Sequence, residues 1–78
     1  MEEGTRVFAC AACNRFATQS EWLLAGHQAE CSELEESKRQ FRFGVLVMTF
    51  GSEDRAQQVV ALARTHDSTE YLAALAEE

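Results

Sequence analysis

The chain begins with a β-type pattern that changes to a helical one near residue 20. Val7, Phe8 and Phe16 are β-compatible residues on either side of a two-cysteine turn, and they predict a short hairpin. Ser20 is a typical helix N-cap residue. Apolar or ligand-type residues then recur at i, i+3, i+7 and i+10: Leu24, His27, Cys31 and Leu34. The pattern predicts one helix that carries His27 and Cys31 on the same face.

The segment FRFGVLVMTF, residues 41–50, is apolar on both alternating faces. Such a run predicts a β-strand that is covered on both sides. Gly51 and Ser52 end this strand and start a further helix. The apolar face of that helix consists of Ala56, Val59, Val60 and Ala63. A last short helix follows Asp67 and Glu70, which stand at capping-box spacing.

These elements predict an α+β fold with the order β-β-α-β-α-α. No internal repeat or linker-like tract divides the 78 residues, and the sequence contains no proline. We therefore expect a single domain over residues 1–78. It consists of a ββα unit at 5–34 and a β-α-α extension at 40–78 that packs against it.

The charge balance is acidic, with 13 Asp and Glu against 7 Lys and Arg and a formal net charge of -6. A surface that neutralises phosphates needs the opposite balance, which argues against nucleic acid as the main partner. Lys38, Arg39 and Arg42 form a local basic cluster, and a nucleic-acid-associated regulator that uses this patch is an alternative. A solvated helix end is the simpler explanation of the same residues.

No apolar run reaches the length of a membrane span, and no stretch resembles an export signal. We therefore expect an intracellular protein of the nucleus or cytoplasm that does not enter a membrane. Its three cysteines are an odd number and are expected to stay reduced. A domain this small needs stabilisation beyond its apolar core, and a metal ion is the better explanation than disulfides.

The candidate ligands have the spacing Cys10-x2-Cys13-x13-His27-x3-Cys31. Two cysteines in a tight turn direct both sulfurs at one point, and a histidine and a cysteine four residues apart complete a tetrahedron. Thiolates with one imidazole favour zinc. Four protein ligands leave no open position, so the sequence predicts one structural zinc ion.

The stretch VFACAACNRFATQSEWLLAGHQAEC, residues 7–31, resembles a zinc finger of the Cys-Cys-His-Cys ββα type. The resemblance covers about residues 6–33. It implies a small core of Phe8, Phe16 and Leu24 beneath the metal. Some short ubiquitin-binding zinc fingers are distantly similar and bind their partner on the finger helix, which implies ubiquitin or a regulatory protein as the partner class here.

One side of the predicted finger helix carries a tryptophan beside small residues. Trp22, Ala25 and Ala29 lie about a third of a turn from the metal ligands, next to Gly26, and form a candidate partner-binding surface. The alternative is that Trp22 packs inside the domain against Phe41, Phe43 or the last helices. No nucleophile, base and orienting group occur together, so we expect no enzymatic activity. The apolar 41–50 strand offers a further alternative, a homodimer paired through its edge.

Overall fold

The computed structural model describes residues 6–77, so the predicted start of the finger at residue 5 lies outside it. Six elements follow in chain order: β1 Phe8–Ala9, β2 Ala17–Thr18, α1 Glu21–Gln28, α2 Glu36–Phe50, α3 Glu53–Thr65 and α4 Thr69–Ala76. The α+β class is confirmed. No helix in the described part of the chain combines the length and apolarity that a bilayer crossing requires.

The predicted hairpin is present. Strands β1 and β2 are antiparallel, with Phe8 opposite Thr18 and Ala9 opposite Ala17. The turn between them contains Asn14 at a φ of 57°, a left-handed conformation that asparagine tolerates better than most residues. The hairpin is only two residue pairs long, so its stability must come from what it packs against.

The predicted 41–50 strand is wrong, because this segment forms the second half of helix α2. Phe43, Leu46, Val47 and Phe50 recur at i, i+3, i+4 and i+7 and pack on one side of that helix. A run that is apolar at almost every position fits both periods, so alternation alone did not identify the structure. The helix ends at Gly51, whose φ of 87° is the left-handed C-terminal conformation that glycine adopts without strain.

Helix α1 is shorter than predicted. It ends at Gln28, and Ala29 and Glu30 form a turn that leads to Cys31. His27 and Cys31 are therefore not on one helical face. Glu33 and Leu34 lie in the connection before helix α2.

Helices α1 and α3 pack closely at Gly26. A Cβ atom at this glycine would lie 3.0 Å from both the Cγ1 and the carbonyl oxygen of Val59. The predicted apolar face of α3 is confirmed, since Ala56, Val59, Val60 and Ala63 are all buried. Ala63 belongs to the cluster of Cys10, Phe16 and Cys31, whereas the other three form a second cluster with Leu46.

Local side chains bond to the backbone at the starts of α3 and α4. The Ser52 hydroxyl accepts a hydrogen bond from the Arg55 N–H at 3.2 Å, as expected of an N-cap. Ser68, rather than Asp67, is the N-cap of α4. The Asp67 carboxylate instead accepts a bond from the Thr69 N–H at 3.1 Å. This short-range bond stabilises the turn that leads into α4.

Candidate metal centre

The hairpin turn positions the first two cysteines. The Cys10 N–H donates to the Phe16 carbonyl at 3.0 Å, and the Cys10 carbonyl accepts from the Asn14 N–H at 2.8 Å. The Arg15 N–H points at the Cys13 Sγ at 3.4 Å. This contact orients the Cys13 side chain within the turn.

His27 is supplied by the last turn of helix α1 and is oriented by an aromatic ring. The Phe16 ring lies parallel to the imidazole, with ring centroids 4.3 Å apart and an interplanar angle of 5°. His27 Nε2 lies 3.4 Å from the Cys13 Sγ. The stack therefore fixes the imidazole with Nε2 toward the cysteines.

Cys31 comes from the turn after helix α1. The Cys31 carbonyl accepts a bond from the Leu34 N–H at 3.1 Å. The Cys31 Sγ lies 3.9 Å from the Cys10 Sγ, and both thiols are buried. The turn thus brings the fourth donor to the buried side of the cluster.

The four donor atoms of Cys10, Cys13, His27 and Cys31 lie within 4.8 Å of one another. A tetrahedral zinc ion with ordinary bond lengths places two sulfurs about 3.8 Å apart and a sulfur and a nitrogen about 3.6 Å apart. The distances of 3.9 Å for the Cys10–Cys31 sulfurs and 3.4 Å for Cys13 Sγ to His27 Nε2 match these values. The residues fit one structural zinc ion.

The two buried thiols, those of Cys10 and Cys31, and the His27 imidazole have shifted pKa values. Burial raises the pKa of the Cys10 thiol, but hydrogen bonds with the backbone N–H groups of Cys13 and Ala12 and with the Cys13 and Cys31 side chains together lower this pKa overall. Burial, together with the neighbouring Cys10, raises the pKa of the Cys31 thiol. Burial also lowers the pKa of the His27 imidazole below its ordinary 6.5, which favours the neutral form that binds metals.

The C-terminal part of the chain packs beside the candidate metal centre through His66, which contacts Phe16 and Ala17, a role that the sequence did not reveal. His66 Nε2 donates to the Ala17 carbonyl at 3.1 Å, and its ring lies against Phe16 and Tyr71. The Ser68 hydroxyl also donates to the Arg15 carbonyl at 3.3 Å. His66 has no partner at ligand spacing in the sequence, so only the folded chain identifies these contacts.

An ion pair joins the turn before Cys31 to helix α3. Arg64 donates to both oxygens of the Glu30 carboxylate, with distances of 3.0 Å from Nε and 2.7 Å from Nη2. The Arg64 side chain is largely solvated and that of Glu30 is 36% exposed, so the pair by itself adds little to stability. Its bidentate geometry nevertheless fixes the position of the turn relative to α3.

The three residues predicted to bind a partner differ in exposure. The Trp22 side chain is 44% exposed, and its ring meets the Phe50 ring edge-on at a centroid distance of 6.1 Å. Ala25 and Ala29 are half-buried against the cluster of α2 and α3. Trp22 and Ala25 share a groove with Phe50, whereas Ala29 lines other depressions beside Glu30.

The three basic residues of the predicted nucleic-acid patch do not share one surface depression. Lys38 and Arg42 line a groove with Phe41. Arg39 is half-buried and lines another depression with Glu36, and its Nε has no hydrogen-bond partner. The division of the cluster reduces the continuous positive surface that a phosphate backbone requires.

Comparison of the chain with protein-family models, with curated proteins and with solved structures found no match. The identification of the metal centre therefore depends on its own donor set and distances. These describe a closed Cys₃His cluster at the junction of the hairpin, helix α1 and helix α3.

Proposed function

We propose that the chain is a zinc-stabilised, non-catalytic protein-interaction module. It binds a protein partner at a groove between helices α1 and α2, which we call the Trp22 groove. Ubiquitin is the first candidate partner because of the resemblance of the finger segment to ubiquitin-binding zinc fingers. The observation that carries the proposal is the half-exposed Trp22 ring at the mouth of this apolar groove.

The Trp22 groove has a volume of about 440 Å³. Its lining is mostly apolar and comprises Glu21, Trp22, Ala25, Val45, Leu46, Thr49 and Phe50. The Phe50 ring supports Trp22 from one side, so the indole is held in place while much of its surface remains in water. A rigid aromatic side chain next to an apolar depression is typical of the residues that dominate protein–protein binding energy.

The charges near the groove favour a protein over a polyanion. Among residues 6–77, Glu21 is the only charged residue that lines the groove, and the whole chain has a formal net charge of -6. A phosphate backbone would be repelled by both. An apolar patch with a basic rim on the partner would complement the tryptophan and Glu21.

The metal site supports a structural role for the ion. Four protein donors converge on one point, so a bound zinc ion has no position left for a water molecule or a substrate. When bound, the zinc ion would join the hairpin, the end of α1 and the turn at Cys31. We therefore expect the protein to act by binding a partner on its surface, with the zinc ion only stabilising the fold that forms this surface.

The proposal is tested by titrating the zinc-loaded, ¹⁵N-labelled chain with ubiquitin. We expect chemical-shift changes around Trp22, Ala25 and Phe50, and a loss of binding in the Trp22→Ala variant at unchanged zinc content. Leu62→Ala is the matched control, because Leu62 is an exposed apolar residue of α3 outside the groove. Shift changes that leave the groove unaffected would contradict the assignment of the surface.

A second titration distinguishes the protein-partner proposal from the nucleic-acid alternative. Binding to a short RNA or DNA duplex that weakens steeply with salt and requires Lys38 and Arg42 would replace the protein-partner proposal. We expect no such binding near physiological salt. Binding at the Trp22 groove should instead change little with salt, since it depends on apolar contacts.

A further inference from the structure

Residues 63–68 comprise the last turn of helix α3 and its connection to α4, and we call them the 63–68 segment. The segment contains none of the four donors, yet it lines a cavity of about 370 Å³ together with Cys13, His27 and Cys31. Its hydrogen bonds on this side join residues that are 34 to 53 positions apart along the chain. The segment therefore reaches the candidate metal centre only in the folded domain.

The first two contacts of the segment are with the surroundings of Cys31 and Cys10. Arg64 donates to both oxygens of the Glu30 carboxylate, at 3.0 and 2.7 Å, and Glu30 is the residue immediately before Cys31. Ala63 is buried in the cluster that contains the Cys10 and Cys31 side chains. The segment thus restrains the surroundings of two of the four donors.

The third donor, Cys13, is linked to the segment through the backbone of Arg15. The Arg15 N–H points at the Cys13 Sγ at 3.4 Å. The carbonyl of the same residue accepts a hydrogen bond from the Ser68 hydroxyl at 3.3 Å. Both backbone groups of Arg15 are therefore engaged, one with a candidate metal ligand and the other with the 63–68 segment.

The fourth donor, His27, is linked to the segment through an aromatic ring. The Phe16 ring stacks on the imidazole at a centroid distance of 4.3 Å, and the His66 ring lies 5.3 Å from the same phenyl ring. His66 Nε2 also donates to the Ala17 carbonyl at 3.1 Å, which fixes His66 relative to strand β2. Phe16 thus contacts both a candidate metal ligand and the 63–68 segment.

We propose that the 63–68 segment holds the four donors in place, and that Arg64, His66 and Ser68 are positioning residues that set the affinity for zinc without binding it. Donors that neighbouring groups restrict to one arrangement release a bound ion less readily than donors that can move apart. Replacing groups that orient metal ligands typically lowers metal affinity about 10- to 100-fold. The inference concerns the metal centre and does not depend on the Trp22 groove being a partner site.

The first test measures the zinc affinity of the full chain by competition with a chromophoric chelator. Arg64→Ala, His66→Ala and Ser68→Ala should each raise the zinc dissociation constant about two- to tenfold, and the triple variant about tenfold or more. All variants should still bind one zinc ion per chain at saturating zinc, because the four donors remain. Unchanged affinity in the three single variants overturns the proposal.

Arg55→Ala is the matched control for the affinity measurement. Arg55 is exposed on the same helix as Arg64, and its side chain forms no ion pair among residues 6–77. Its removal changes the net charge of the chain by the same amount as Arg64→Ala. The control should keep the wild-type affinity, and an equal loss in both variants would mean that only the net charge matters, which overturns the role of Arg64.

A cobalt-loaded sample distinguishes positioning from general stabilisation. Co²⁺ bound to thiolates and an imidazole absorbs visible light, and its bands depend on the ligand geometry. The triple variant should shift or broaden these bands. Leu46→Val is the control, because Leu46 is buried in the second cluster, which contains no candidate ligand, so it should lower thermal stability and leave the bands unchanged. Wild-type bands in the triple variant and in the three single variants would mean that the segment only stabilises the fold, which overturns the proposal.

A double-mutant cycle tests whether Arg64 acts through Glu30. Glu30→Gln and Arg64→Gln each break the bidentate pair and should weaken zinc binding. The double variant should weaken it no more than the more harmful single variant does, because the same contact is lost in all three. Additive losses would mean that Arg64 acts on the thiolates through its charge alone, which overturns its positioning role.

Discussion

The Phe16 ring lies flat on the His27 imidazole, with the two ring centroids 4.3 Å apart. Phe16 itself is buried, so the stack positions a metal ligand from within the core. Phe16→Leu retains an apolar side chain and should reduce the free energy of unfolding of the zinc-loaded protein by about 1 kcal/mol, through loss of the aromatic pair.

Phe16→Ala is the companion variant and should cost about 3–5 kcal/mol, because it also creates a cavity. Thermal and urea unfolding of the zinc-loaded chain measure both effects. A Phe16→Leu variant as stable as the wild type, with equal zinc affinity, would show that the stack does not position the ligand.

Zinc removal should unfold more than residues 6–33. Ala63 of α3 packs in the same cluster as Cys10 and Cys31, and Gly26 of α1 contacts Val59 of α3. We therefore expect a chelator to abolish the dispersed NMR signals of α3 together with those of residues 6–33. Helix α3 signals that persist after zinc removal would instead mean two separately stable parts.

Each of the four ligand side chains should be needed for stoichiometric zinc. Substitution of Cys10, Cys13 or Cys31 by serine, or of His27 by asparagine, should lower the metal content measured by mass spectrometry well below one ion per chain. His66→Asn is the control, since His66 contacts Phe16 and Ala17 but lies outside the donor set. Full zinc content in any ligand variant contradicts the assigned site.

Zinc affinity should fall with pH, because each thiol loses its proton on binding. The apparent affinity should drop about tenfold per pH unit for each proton displaced. Since the pKa of the Cys31 thiol is raised, that thiol remains protonated in the metal-free protein and contributes to the slope.

His27 adds a further step in acid. Its pKa is lowered below 6.5, so the neutral ligand is fully available above that value, and its contribution is lost as pH falls through the lowered pKa. Competition titrations against a chromophoric chelator between neutral and mildly acidic pH measure the effect. An affinity independent of pH would contradict a thiolate site.

Gly26→Ala should destabilise the zinc-loaded domain by about 1–3 kcal/mol, because the added methyl group lies too close to the Val59 backbone and side chain. Gly44→Ala is the matched control within the same protein, since its methyl group meets nothing within 4 Å and should stabilise the helix by about 1 kcal/mol. Thermal unfolding of dilute samples separates the two. Equal effects of both substitutions would contradict the close packing of α1 on α3.

His66→Ala should cost about 1–3 kcal/mol of stability, because it leaves the Ala17 carbonyl without a partner and removes the contacts with Phe16 and Tyr71. The neighbouring Thr65→Ala serves as control, since Thr65 is exposed and bonds only to the Leu62 carbonyl. Unfolding measurements on zinc-loaded samples should distinguish them. A His66→Ala variant no less stable than Thr65→Ala would mean that the contact is incidental.

The strand predicted over residues 41–50 is wrong for a reason that lies in the segment itself. Apolar residues stand at almost every position of this run, so they occur on two sides of whichever element it forms. In helix α2 one side packs on α1 and α3, while Phe41, Val45 and Met48 on the other side are exposed. The hydrophobic period of the run, two residues for a strand or 3.6 for a helix, could not be determined from the sequence, because the run contains apolar residues at both spacings.

The sequence alone determined the four metal ligands, the hairpin at the first two cysteines and the buried face of α3. Each of these depends on short-range spacing or local propensity, which the order of residues specifies directly. Only the tertiary structure decided that Cys31 follows helix α1, that His66 contacts Phe16 and Ala17 beside the metal centre and that Trp22 borders a groove with Phe50. These features depend on which elements pack together, and packing is set by contacts between residues that are distant along the chain.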